Sequence, residues 1–114
     1  MGSGIKALTA ELARNPDSLV FLELAEALRV RGQLHGAAKV VVAGLARHPE
    51  SADAHDEYAR VLVDMGHLDQ AFREWSAALE VDSRHLGAHK GLGFLCYRWS
   101  DLDGATEHLS LIHI

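Results

Sequence analysis

The feature that most constrains this chain is a repeat of 34 residues. Gly32, Gly66 and Ser100 stand at that spacing, as do Leu34, Leu68 and Leu102, and Ala37, Ala71 and Ala105. Upstream in each copy Leu24, Tyr58 and Leu92 align, followed by Ala25, Ala59 and Gly93, then Leu28, Leu62 and Cys96. The phase holds without a gap from Ser18 to about His108. A fixed period of this kind marks stacked copies of one small structural unit, each burying its apolar side on the next.

Within a copy the apolar spacing is helical. Phe21, Leu24, Ala25 and Leu28 recur at three and four residues, one face of a helix, and Val41 and Leu45 continue the pattern in a second stretch. Gly32 and Gly66 fall between the two stretches, where a helix ends and the chain turns. Asp17-Ser18 and Glu50-Ser51 precede the first stretch and can cap it. Each copy therefore reads as a helix, a tight turn and a second helix. Alanine or glycine at 25, 59 and 93, and alanine at 37, 71 and 105, would let the helices cross closely. Phe21, Val41, Tyr58, Phe72 and Trp75 would fill the flanks.

Composition agrees and narrows the function classes. Hydrophobic residues make up 48% of the 114 residues, too many for a disordered chain. Pro16 and Pro49 lie outside the periodic stretches, and Cys96 is the only cysteine, so no disulfide forms within the chain. No apolar run approaches the roughly 20 residues of a membrane span, and the start lacks the apolar core of a secretory signal, so a cytoplasmic location is expected. The net charge of −5 argues against nucleic acid as a partner. Residues 52–85 hold eight acids against three arginines and so carry the whole of that −5.

In these residues the chain resembles the tetratricopeptide repeat family, whose 34-residue pattern runs from a large aromatic through Leu-Gly, Tyr and Ala to Phe and Pro. The first copy offers Phe21, Leu24-Ala25, Leu28, Ala37, Val41 and Pro49; the second His55, Tyr58-Ala59, Leu62, Ala71, Trp75 and Ser83; the third His89, Leu92-Gly93, Cys96, Ala105 and Leu109. Histidine replaces the aromatic twice, and Ser83 stands where proline is usual. The resemblance implies an all-α, right-handed solenoid of about seven helices. A partial repeat at residues 1–17 would cap it, followed by repeats at 18–51 and 52–85 and a truncated one at 86–108.

The register fails at the end, LSLIHI, where Ile112 and His113 stand in place of Gly44/Ala78 and Leu45/Leu79. CTG-TCT-CTT-ATA-CAC-ATC encodes that string and resembles the transposase mosaic-end adapter of sequencing libraries. Residues 109–114 are accordingly expected to be a non-native tail on an N-terminal fragment of a longer protein.

The chain carries no phosphate-binding loop and no nucleophile elbow; GLGF at 91–94 lies within a helical stretch at repeat positions. Cys96 fills the apolar slot of Leu28 and Leu62. His85 and His89, four apart, raise a metal reading, but no cysteine or acid nearby completes a ligand set. No catalysis, metal or cofactor is expected. The resemblance implies instead a groove lined by the first helix of each repeat, at Leu19, Leu22, Glu26, Arg29 and Val30, then Asp53, Asp56, Arg60, Val63 and Asp64, then Gly87, Lys90, Phe94, Tyr97 and Arg98. The carboxylate clamp of the chaperone-binding members is absent, since its slots hold Leu22, Glu26, Gly87 and Gly91. The expected partner is a protein or peptide with a basic or mixed contact segment. Self-association through the open C-terminal end, and service as a docking arm of an enzyme or signalling protein, are the alternatives. The acidic stretch also reads as a solvated face with local pairs such as Asp56–Arg60, four apart, and Phe94 and Tyr97 as contacts to a further repeat.

Overall fold

A computed structural model describes the backbone of residues 2–103 and the side chains of residues 4–100. It contains six helices: α1 (Gly2–Arg14), α2 (Phe21–Val30), α3 (Leu34–Arg47), α4 (Ala52–Met65), α5 (Leu68–Val81) and α6 (Leu86–Asp103). There is no strand among the described residues. α2 pairs with α3 and α4 with α5, each pair packs on the next, and the stack measures 51 × 27 × 18 Å. This is an all-α solenoid.

The turns inside the pairs share one geometry. Gly32 and Gly66 adopt φ of 79° and 87°, the left-handed region that only glycine enters at little cost. The amide of Gln33 then donates to the Leu28 carbonyl at 2.9 Å, and that of His67 to Leu62 at 2.8 Å, closing the preceding helix in the same way. The third copy departs from the expected turn. Ser100 occupies the glycine position, and α6 runs straight through it, reaching 18 residues where α3, α4 and α5 have 14. A serine pays about 1–2 kcal/mol for a left-handed backbone, so continuing the helix is the cheaper course. The expected seventh helix and the LSLIHI tail fall outside the described residues.

Helix starts also differ. Ser51 caps α4 as expected, its hydroxyl accepting the Ala54 amide at 3.1 Å. At α2 the Ser18 hydroxyl instead accepts the Val20 amide at 3.2 Å, and the helix proper begins only at Phe21. The sequence accounts for this and corrects the start of the ungapped phase from Ser18 to Phe21: LARNPDS at 12–18 matches LARHPES at 45–51 at a spacing of 33, so one residue is missing before Phe21. At α6 the cap is His85, whose Nδ1 accepts the Ala88 amide at 3.1 Å.

Small residues sit at the crossings. Ala25, Ala37, Ala59 and Ala71 are fully buried. Phe21, Val41 and Trp75 fill the flanks, Tyr58 is half-buried, and Phe72 corrects the expectation: it is exposed and meets the Trp99 ring at 5.5 Å. Two of the rings rest on bare backbone. A Cβ added at Gly44 would meet Phe21, and one at Gly91 would meet Trp75, at distances no real contact shows. Close helix approach is what these glycines supply.

Candidate interaction surface

Each first helix lies beside the next, α2 against α4 and α4 against α6, so the three form one continuous face. Its middle is a charge cluster. From α2, Arg29 grips Glu26 through two bonds, at 2.9 Å and 2.8 Å, and reaches across to Asp64 of α4 at 2.8 Å. Its Nε also lies 3.9 Å from Glu57 Oε2. Glu57 is buried, and that oxygen has no hydrogen-bond partner.

The two glutamates are driven apart electrically. Burial pushes the Glu57 carboxyl up to about 8, assisted by the hydrogen bond it shares with Glu26 and the Glu26 charge. Bonding to Arg29 pulls Glu26 down to about 2 against its own desolvation. Arg29 is in turn held more firmly protonated, chiefly by Glu26. At neutral pH one proton therefore resides on Glu57, and the cluster binds α2 to α4 without a naked buried charge.

Asp56 does not offer a carboxylate to a partner. It is buried; Trp75 Nε1 donates to its Oδ1 at 2.6 Å, Arg60 pairs with its Oδ2 at 3.1 Å, and Gly87 leaves room for it. Asp53 keeps its side chain 74% exposed while accepting from His85 Nε2 at 2.7 Å. Asp64, Arg60 and Lys90 are exposed, and Leu22 and Val63 are half-buried. At the α6 end Phe94 and Tyr97 are exposed, with the Arg98 guanidinium 5.7 Å above the Phe94 ring. Leu19, two residues before α2, and Val30, the last residue of α2, are exposed. The face thus runs from apolar, through a self-paired charge cluster, to aromatic and cationic.

Several residues that shape this face escape the sequence reading. Glu57 and Trp75 lie off the groove register yet organise its middle; Trp75 stands 19 residues beyond the Asp56 it holds. His85 and His89 engage separate partners: His85 bonds Asp53 and the Ala88 amide, while His89 Nε2 donates to the Ser83 carbonyl at 2.8 Å. His55 repeats that contact on the Pro49 carbonyl at 3.0 Å and meets Glu74 at 2.8 Å. A ring with hydrogen bonds thus replaces the buried Phe21, which stacks on His48. The pattern of histidine six residues after the junction carries this signal.

Among the described residues no three metal-ligating side chains form a group, and no helix is long and apolar enough to cross a membrane. The chain matches no protein-family model and no curated protein. In fold it is similar to MamA, known from a crystal structure, with a TM-score of 0.77 at 17% identity over 95% of this chain. The chain spans 64% of the length of that structure. At this identity the likeness shows the fold alone, and it agrees with an all-α helical solenoid.

Proposed function

We propose that the chain is a protein–protein interaction scaffold that holds a peptide or helix of a partner against the α2–α4–α6 face. The observation that carries this reading is the exposed Phe94–Tyr97–Arg98 group next to a charge cluster whose members already pair with one another. A surface of this kind offers aromatic anchors on a rigid, pre-formed support, where ordering losses on binding are small. Lys90 and Arg98 mark one end. Asp53 and Asp64, the acids that keep contact with solvent, are the residues to which a basic or mixed segment would be steered, whereas Asp56 serves the fold. Glu26, Arg29 and Arg60 bound the centre and Leu22 the apolar end. The reading includes no catalytic step and no nucleic-acid or membrane ligand. It holds equally for a docking arm of a longer cytoplasmic protein built from a half repeat at 1–17 and repeats from 18, 52 and 86.

The test is selection of peptides from a random displayed library, followed by affinity measurement on purified variants. Tyr97→Ala and Phe94→Ala should each weaken the selected peptides about tenfold. Asp53→Asn with Asp64→Asn should slow association and flatten its salt dependence, and Val42→Ala on the outer side of α3 should change nothing. Peptides that bind all these variants alike would refute the reading.

A further inference from the structure

Among the described residues Glu57 Oε2 alone is a buried side-chain oxygen with no hydrogen-bond partner. Its side chain is only 9% exposed, in the interior of the α2–α4 junction. A cation that would satisfy it is already close. Arg29 Nε stands 3.9 Å away, about 1 Å too far for a hydrogen bond. Other partners hold Arg29 back: Glu26 through two bonds, and Asp64 through Nη1 at 2.8 Å. Both of those carboxylates reach solvent, with side chains 37% and 36% exposed.

The missing ion pair goes with a proton. Glu26 and Glu57 share a hydrogen bond, which two carboxyl groups form only with a proton between them. Burial first, and then Glu26, keeps that proton on Glu57. The charged groups acting on Glu57 are Glu26 and Arg29 from α2 and Arg60 from its own helix. Among the described residues α3, α5 and α6 bring no cation to ion-pair distance, and α6 has the uncharged Gly91 at the matching repeat position.

Asp64 therefore has two uses. It is an acid toward which a basic segment would be steered, and it anchors the tip of Arg29. We propose that an arginine or lysine of the bound partner takes Asp64 from Arg29, that Arg29 turns on Glu26 to pair with Glu57, and that Glu57 gives its proton to solvent. The O–H bond of Glu57 breaks and its carboxylate pairs with Arg29, while the incoming cation replaces Arg29 on Asp64. One proton leaves for each cation that arrives. A contact at the exposed face is thereby linked to a buried group that the partner never touches. Because the bound state holds fewer protons, binding tightens as pH rises toward about 8 and levels off above it. The relay rests on the scaffold reading, since it needs a basic segment on this face.

The probe is an end-capped tetra-arginine peptide, and the readout is carboxyl-carbon NMR of the whole chain labelled in aspartate and glutamate. The Glu57 signal is the one lost in Glu57→Gln. At about pH 7, saturating peptide should move it from the acid to the carboxylate position and raise its acid dissociation constant at least about tenfold. Between about pH 6 and about pH 8 the affinity of the unaltered chain should rise severalfold more than that of Glu57→Gln, which has no proton to release. Without peptide, Asp64→Asn should by itself lower the titration midpoint of Glu57. In Arg29→Gln both this response and the response to peptide should vanish. A peptide that shifts the Asp64 signal while Glu57 keeps its proton overturns the relay and leaves the scaffold reading standing. An undiminished Glu57 response in Arg29→Gln also overturns it, because the peptide then acts on Glu57 without Arg29. No shift at Asp53 or Asp64 overturns the relay together with the basic partner.

Discussion

The two junctions between first helices do the same job with opposite chemistry. Where α2 meets α4, the contact is ionic: Arg29 bridges Glu26 and Asp64 beside the buried Glu57. Where α4 meets α6, it is aromatic: Trp75 lies on the bare backbone of Gly91 and ties its indole N–H to Asp56. Glu57 and Gly91 occupy the same repeat position. A solenoid's register thus dictates where contact occurs and leaves its chemistry to each repeat, which suits an array whose stability is a sum of neighbour terms.

Removing each junction in turn tests the contrast. Trp75→Ala should have the largest effect, about 3–5 kcal/mol, because it opens a cavity and strands the buried Asp56 carboxylate. Chemical denaturation with unchanged midpoint would refute the aromatic junction. Gly91→Ala should destabilise by about 2–3 kcal/mol, since its Cβ has no room against the indole. The same substitution at Gly93, where nothing lies within 4 Å among the described residues, should be neutral or slightly stabilising. Ala71→Leu, an overpacked crossing, should lie in the range of about 1–3 kcal/mol. Arg29→Ala should lower stability by about 1–2 kcal/mol, a loss that shrinks in high salt, because the cluster is partly solvated.

The pH-dependent effect is the most diagnostic. Folding lifts Glu57 from 4.5 to about 8, so the folded chain takes up a proton and this group's stability falls as pH rises between those values. Glu26 is lowered from 4.5 to about 2, so its share is present above 4.5 and is lost as pH falls toward 2. Glu57→Gln should remove the first slope and leave the second, gaining about 1–2 kcal/mol at pH 8 and almost nothing at pH 4. Melting curves at the two pH values decide it.

The period, the paired helices and the buried alanines are legible in the sequence because register alone fixes them. The run of α6 through Ser100 is not, because alignment with glycine says nothing of whether serine can take the left-handed turn. Asp56 reads as a groove residue by register, but Trp75, one helix later, draws it into the junction. His85 escapes as a cap because imidazole lies outside the usual set of capping side chains. Gly91 lies in plain view within GLGF, but its role depends on a ring 16 residues earlier in the chain. Local pattern encodes elements and their faces; compensation between large and small partners emerges only when helices are stacked.

The placement of the two tryptophans has an optical consequence. Trp75 and Trp99 both belong to the cluster between α4, α5 and α6, and α1, α2 and α3 contain none. Intrinsic emission therefore watches one half of the rod, with an indole in a dry, carboxylate-bonded site as its main reporter, while circular dichroism watches every helix at once. If the halves melt as one, the two signals trace a single curve; if the ionic junction yields first, ellipticity falls while emission holds, and the gap between the curves measures how strongly neighbouring repeats are coupled.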